Sequence, residues 1–150
     1  LSSSKSDYNQ SDPTYSITPA MQVRRVQVRA NNKWQKTGIY LHIGDIVQIK
    51  AEGQWNHGSE GGESADYTYD ANGYDKIDSN AIIPTAKIGA LIGQIGDCEP
   101  FLVGTETVFN ASCNGNLFLV MNDVLGGFYN NQGELELQIE VNPSPQSPLL

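Results

Sequence analysis

The most regular stretch of the chain is Gly133-Glu134-Leu135-Glu136-Leu137-Gln138-Ile139-Glu140-Val141, where apolar and polar residues alternate without a break. Successive strand side chains point to opposite faces, so this run predicts a strand with Leu135, Leu137, Ile139 and Val141 inward and the glutamates outward. Met21 to Val28 alternates in the same way except at Arg24-Arg25, and a bulge there would restore the phase. Asn31-Asn32 then turns the chain into Trp34 to Leu41. His42-Ile43-Gly44-Asp45 turns it again into Ile46 to Ala51, where Val47, Ile49 and Ala51 share a face. That spacing predicts two hairpins.

Further on, Ile88 to Gly96 is almost continuously apolar, with glycines where another backbone can approach, and reads as a buried strand. Phe101 to Val103, Thr107 to Ala111 and Asn116 to Met121 predict shorter strands, and Leu117-Phe118-Leu119-Val120, apolar on both faces, suits a central position in a sandwich. Helical character is confined to a turn or so over Ser79 to Ala86, interrupted by Pro84. About eight short strands separated by turn signals predict an all-β fold, a β-sandwich of jelly-roll type with two antiparallel sheets.

Composition supports this picture and narrows the partners. The chain has 150 residues, enough for one domain with a real core, and its 15 Gly and 7 Tyr against 2 Met favour strands and turns. Residues 1–20 and 142–150 are Ser- and Pro-containing without apolar period, so they are expected to be linkers flanking a domain over 21–141, a module of a longer polypeptide. A formal charge of -8 disfavours nucleic acid and favours cations or neutral ligands. No apolar run has the length of a membrane span, and no signal peptide is recognisable, although a mature or excised domain would have lost one.

Cys98 and Cys113 each sit beside turn residues and fit either one disulfide or two free thiols. A bridge would imply an oxidising compartment. Asn9-Gln10-Ser11 and Asn110-Ala111-Ser112 read as glycosylation acceptors, relevant in a eukaryotic secretory protein.

Two loops carry candidate chemistry. Met121 to Gly133 packs one carboxylate, three side-chain amides beyond Met121-Asn122 and three glycines between apolar runs, a composition suited to a calcium ion, which takes about six to eight oxygens. The same residues would also make a long hairpin loop. Gln54 to Asp78 loses all periodicity and holds Trp55, His57, Tyr67, Tyr69, Asp70, Asn72, Tyr74 and Asp75. Rings beside amides and carboxylates suit sugars, whose C–H faces stack while hydroxyls are taken by polar groups; otherwise some tyrosines cover core and the acids are solvated. Asp66, Asp70, Asn72, Asp75 and Asp78 lack the order of an EF-hand and read as a solvated acidic loop rather than a second calcium site. Zinc would need partners for His57, and the only other histidine, His42, lies in a different turn. No nucleophile motif or phosphate-cradling loop is present, so the chain is expected not to be an enzyme, although carboxylate pairs in the acidic loop leave a glycosidase formally open.

Thr37 to Asp45, Ala51 to Gly58, Ile88 to Gly96, and above all Asn122-Asp123-Val124 followed by Asn130-Asn131-Gln132-Gly133 resemble, in order and spacing, the calcium-dependent galactose-binding lectins of the PA-I or LecA type. The resemblance covers about Val26 to Val141. It implies a galactose-binding-like sandwich with one Ca2+, held by the side chains of Asp123, Asn130 and Asn131 and by backbone carbonyls at Gly127 and His57. Gly127 stands where the family lectin has threonine, and His57 where it has tyrosine; the second change removes a wall of the sugar site. Sugar contacts are implied at His57, Asp123, Val124 and Asn130, with Asn72 approximately at a family glutamine and no counterpart to a family histidine, so galactose specificity is not inherited.

The resemblance thus implies a calcium-dependent carbohydrate-binding module, secreted or extracellular, that takes a galactose-like or other glycan. The alternative is a structural or adhesive sandwich that uses calcium only to order its loops, or that makes protein contacts. The outward glutamates Glu134, Glu136 and Glu140 would repel across a symmetric sheet contact, so a monomer is expected.

Overall fold

The computed structural model describes residues 20–58 and 67–144. Eight strands are found among them: β1 (Gln22–Arg29), β2 (Gln35–Leu41), β3 (Ile46–Asn56), β4 (Leu91–Ile95), β5 (Phe101–Leu102), β6 (Glu106–Asn110), β7 (Gly115–Met121) and β8 (Gln132–Asn142). They form two four-stranded sheets, ordered β1-β8-β3-β6 and β2-β7-β4-β5, with every pairing antiparallel. This strand order, with every consecutive pair except β4 and β5 split between the sheets, is that of a jelly roll. One core joins both inner faces, with Val47, Ile49, Leu135, Leu137 and Ile139 from one sheet against Ile39, Leu41, Leu91, Leu117 and Leu119 from the other. The arms expected over 1–20 and 142–150 lie almost wholly outside the described residues, as do Asn9 and Asp66.

β8 runs as its alternation predicts, with Leu135, Leu137, Ile139 and Val141 all buried. It lies between β1 and β3, so its backbone is paired on both edges. β7 is likewise central, between β2 and β4, which explains a sequence apolar on both faces.

The two expected hairpins are not formed. β1 pairs β8, β2 pairs β7 and β3 pairs β6 and β8, so each short turn carries the chain across to the opposite sheet. Turn residues fix where a chain reverses but not which edge it then joins. The bulge expected in the first strand is also absent, because β1 keeps unbroken register from Gln22↔Val141 to Arg29↔Glu134. Val23 accepts exposure on this edge strand, and Arg24 shares the inner face with Val26 and Val28. The irregularity falls in β2 instead, between Lys36 and Tyr40, where Gly38 has φ +82° and a Cβ would sit 2.9 Å from the Arg24 guanidinium. The glycine leaves room for an arginine at the open side of the core.

No helix forms over Ser79 to Ala86. That segment is a series of turns, tied to the rest by an Ala81↔Val124 bridge and an Ile77↔Lys87 bridge. A 3-10 helix appears instead at Leu125–Asn130, inside the candidate metal loop, where two glycines had masked any periodicity. It leads from β7 in one sheet to β8 in the other, so the loop is a crossover and not a hairpin. Cys98 and Cys113 are joined by a disulfide linking the β4–β5 and β6–β7 turns.

Candidate functional site

Buried polar side chains collect at one end of the sandwich. Asn56, Asn122, Asp123 and Asn131 all lie there, on the turn after β3 and the crossover from β7 to β8. A buried polar group costs free energy unless it is bonded, so their satisfaction separates structural groups from poised ones.

Asn122 is fully used. Its Oδ1 accepts from the Ile83 backbone N–H at 2.8 Å, and its Nδ2 faces the carbonyls of Ile83, Ala86 and Lys87 at 3.0, 3.2 and 3.1 Å. The first residue of the Asn-Asp-Val triplet is therefore a clamp on the turns before β4. Nothing in its residue type announced this, since an asparagine in such a loop reads equally as ligand or turn.

Asn131 is used on one side only. Its Nδ2 faces Ala30 O at 3.0 Å, Asp123 Oδ2 at 3.0 Å and Met121 Sδ at 3.4 Å, whereas its buried Oδ1 has no hydrogen-bond partner among the described residues. Flipping the amide would set oxygen against a carbonyl and a carboxylate, so the three acceptors fix which way Oδ1 points. Asp123, 6% exposed, receives, among the described residues, the Val124 N–H at 2.7 Å on Oδ1 and the Asn131 amide on Oδ2. Among the described residues no lysine or arginine pairs with it. Burial raises its pKa above the usual 3.8, the Asn131 and Val124 hydrogen bonds and the charge of nearby His57 pull it down, and Asp78 adds a smaller upward push.

The other expected ligands converge on this pair. Gly127 lies against the carboxylate, where an added Cβ would be 3.5 Å from both Asp123 oxygens, and its N–H donates to Val124 O at 2.9 Å. Gly58, with φ +91°, lies against Asn130, where a Cβ would approach the carboxamide carbon to 2.5 Å. The Gly58 N–H donates to Asn56 Oδ1 at 2.9 Å, an Asx-type turn that sets the His57–Gly58 corner beside the crossover. Two loops distant in sequence thus bring Asp123, Gly127, Asn130, Asn131 and His57 to one place. Among the described residues no three His, Cys, Asp or Glu side chains gather, so the donor set is amides and carbonyls around a single carboxylate.

This arrangement fits a calcium ion. An aimed, buried amide oxygen beside an uncompensated buried carboxylate is what a hard cation would satisfy, and oxygen donors of these kinds are its preferred ligands.

Aromatic rings form the neighbouring wall. His57 Nδ1 and Tyr69 Oη are 2.5 Å apart, and the His57 ring packs on Tyr74 at 5.1 Å between centroids. Tyr67, half exposed, meets Tyr74 edge-on at 5.0 Å. Trp55 is no part of this wall: it is 1% exposed and its Nε1–H donates to Gly89 O at 2.7 Å, so it serves the core. Val124 is half-buried at the mouth of the crossover. Asn72 is placed otherwise, its Oδ1 accepting from the Thr105 N–H at 3.0 Å across the β5–β6 turn. In the acidic loop, Asp75 is fully exposed, while Asp70 and Asp78 each accept the backbone N–H two residues on, at 2.8 Å.

Residues 24–144 match the protein family described as PA-IL-like protein. Among solved structures, the N-terminal domain of EclA, a PllA-like lectin, superposes with a TM-score of 0.60 at 24% identity, covering 79% of this chain and 95% of that one. At that identity the likeness speaks for the fold. No curated protein matches the chain.

Proposed function

Since the chain belongs to the PA-IL-like protein family, we propose that it is a calcium-dependent carbohydrate-binding module whose site is the crossover from β7 to β8. The observation that carries the reading is the buried Asn131 Oδ1 beside the buried Asp123 carboxylate. Asp123, Asn130 and Asn131 would hold Ca2+ through their side chains, with backbone oxygens from Gly127 and His57. Held there, the ion contributes coordination of sugar hydroxyls in place of water.

The chain's own residues orient the sugar. Asp123 accepts hydrogen bonds from hydroxyls, and the half-buried Asn130 carboxamide can donate or accept. The His57, Tyr67 and Tyr74 rings offer faces and edges to pyranose C–H groups, and the half-buried Val124 adds an apolar contact from the crossover. A tilted wall of rings in place of a flat one suits a galactose-like or other glycan without fixing its epimer. The function is binding, not catalysis. The Cys98–Cys113 disulfide supports an extracellular or secreted setting, and the outward Glu134, Glu136 and Glu140 support a monomer.

Titration calorimetry with a panel of methyl glycosides, in calcium and again in EDTA, tests the proposal. Heat with at least one glycoside in calcium, abolished by EDTA, is expected. Absence of heat with every glycoside in calcium would sink it. A melting temperature that rises with calcium but ignores sugars would instead leave the ion a purely structural role.

A further inference from the structure

Of the three tyrosines beside the crossover, Tyr67 is half exposed and Tyr74 half-buried, whereas Tyr69, 7% exposed, is too covered to offer a sugar its face. Its place is fixed from two sides. The backbone bridges to Trp55, with the Trp55 N–H donating to Tyr69 O at 3.0 Å and the Tyr69 N–H to Trp55 O at 3.1 Å. The ring lies on Gly89, where φ is +82° and any Cβ would overlap it. Gly89 is itself tied to the crossover, because its N–H donates to Asn122 O at 2.8 Å and its carbonyl takes the Trp55 indole N–H at 2.7 Å.

What this post carries is a hydroxyl. Packing on Gly89 needs only the ring, while the Tyr69 Oη lies 2.5 Å from His57 Nδ1, with the two ring centroids 5.7 Å apart. A phenol O–H donates better than an imidazole N–H, and an imidazole nitrogen accepts better than a phenol oxygen, so a neutral pair settles with Oη–H donating to Nδ1. The proton of the His57 ring is then held on Nε2. Contact with Tyr74, at 5.1 Å between centroids, restrains the same ring from a second side. His57 stands near Asp123, whose carboxylate, when ionised, only accepts. A fixed Nε2–H in its neighbourhood supplies the opposite kind of partner, and a sugar hydroxyl can serve both because it donates and accepts.

We propose that Tyr69 is a positioning residue: through its hydroxyl it locks the His57 ring as an Nε2–H donor for a sugar oxygen, and so sets glycan affinity without touching the glycan. This rests on the reading of the crossover as a glycan site.

The test uses Tyr69→Phe, which keeps the ring on Gly89 and removes only the oxygen, so its melting temperature should stay near that of wild type. Long-range proton–nitrogen NMR at about pH 8, where an ordinary imidazole is neutral, reads the two His57 ring nitrogens in EDTA and without sugar. Expected in wild type are a protonated Nε2 and an Nδ1 resonance displaced by its hydrogen bond, and in Tyr69→Phe an Nδ1 resonance moved to the unbonded position. An Nδ1–H tautomer in wild type, or an Nδ1 that does not move, would overturn the proposal. Calorimetry in calcium, with the methyl glycoside that wild type binds best, should find binding about fivefold weaker in Tyr69→Phe, as loss of one hydrogen bond implies, at unchanged calcium affinity. In a His57→Ala background, which keeps the backbone carbonyl, the same change should cost nothing further; an equal loss there would mean that Tyr69 acts through packing and would overturn the proposal. Wild type that binds a glycoside no better than Tyr69→Phe would remove this proposal alone, whereas wild type that binds none would remove the reading of the site along with it.

Discussion

Asp45 and Asp123 are buried at opposite ends of the sandwich, 3% and 6% exposed, and the surroundings treat them differently. Asp45 closes the turn between β2 and β3. One of its oxygens takes the His42 N–H at 2.8 Å with the His42 ring 3.8 Å away, and the other takes the Ser144 N–H at 3.0 Å. These bonds tie the turn to itself and to the chain just beyond β8. Asp123 accepts the Val124 N–H and the Asn131 amide, burial pushes its pKa up, and beside it the Asn131 amide oxygen is buried with no hydrogen-bond partner among the described residues. One carboxylate finishes a turn, and the other is where we propose a site. The contrast shows that burial alone does not mark function; the balance of partners does.

The sharpest way to break this contrast is to delete each acid in turn. Asp45→Ala should cost about 2 kcal/mol of unfolding free energy by urea titration, equally in calcium and in EDTA, since it leaves two part-buried N–H groups without their acceptor. A calcium-dependent loss at Asp45 would erase the distinction. Asp123→Ala should cost little in EDTA but forfeit the calcium increment, about 2.7 kcal/mol when calcium is a hundredfold above its dissociation constant. Retention of that increment would remove Asp123 from the metal site.

Gly58→Ala sharpens the comparison on a smaller scale. The φ of +91° and the contact with Asn130 predict about 1–2 kcal/mol of destabilisation, together with weaker calcium binding as Asn130 is pushed aside. Equal calcium affinity by competitive chelator titration would show that Asn130 does not matter there.

The smallest effect is in pH. A carboxylate whose pKa is raised by folding contributes stability below the unfolded value of 3.8 and loses it as pH rises through the raised value. In EDTA, wild type should therefore lose stability relative to Asp123→Asn as pH climbs from below 3.8 towards neutrality. A difference that moves the other way would mean that the hydrogen bonds outweigh burial.

The sequence exposed the strands better than their partners. Period-two patterning in β8 and β3 is dictated by which face meets the core, and a single strand carries that information. The pairing of β1 with β8 is set by tertiary competition for edges that no local signal encodes, and so the Asn31-Asn32 turn looked like a hairpin. Similarly, the loop from Met121 to Gly133 stood out because oxygen donors and glycines cluster between apolar runs, and the resemblance to the lectins singled out Asp123, Asn130 and Asn131 within it. The opposite fates of Asn122 and Asn131 did not, because they depend on carbonyls from Ile83, Ala86 and Ala30, contributed by other parts of the chain. Trp55 looked like a stacking platform in a polar loop, but β3 extends through it and takes it into the core.

The pairing Gln22↔Val141 has a practical corollary. The outer tips of the first and last strands sit side by side at the pole away from the crossover, so a fluorophore, bead or fusion partner grafted at either tip would act as a handle that leaves the crossover facing outward. Immobilised through that handle, an array of these domains would present a uniformly oriented surface of sites.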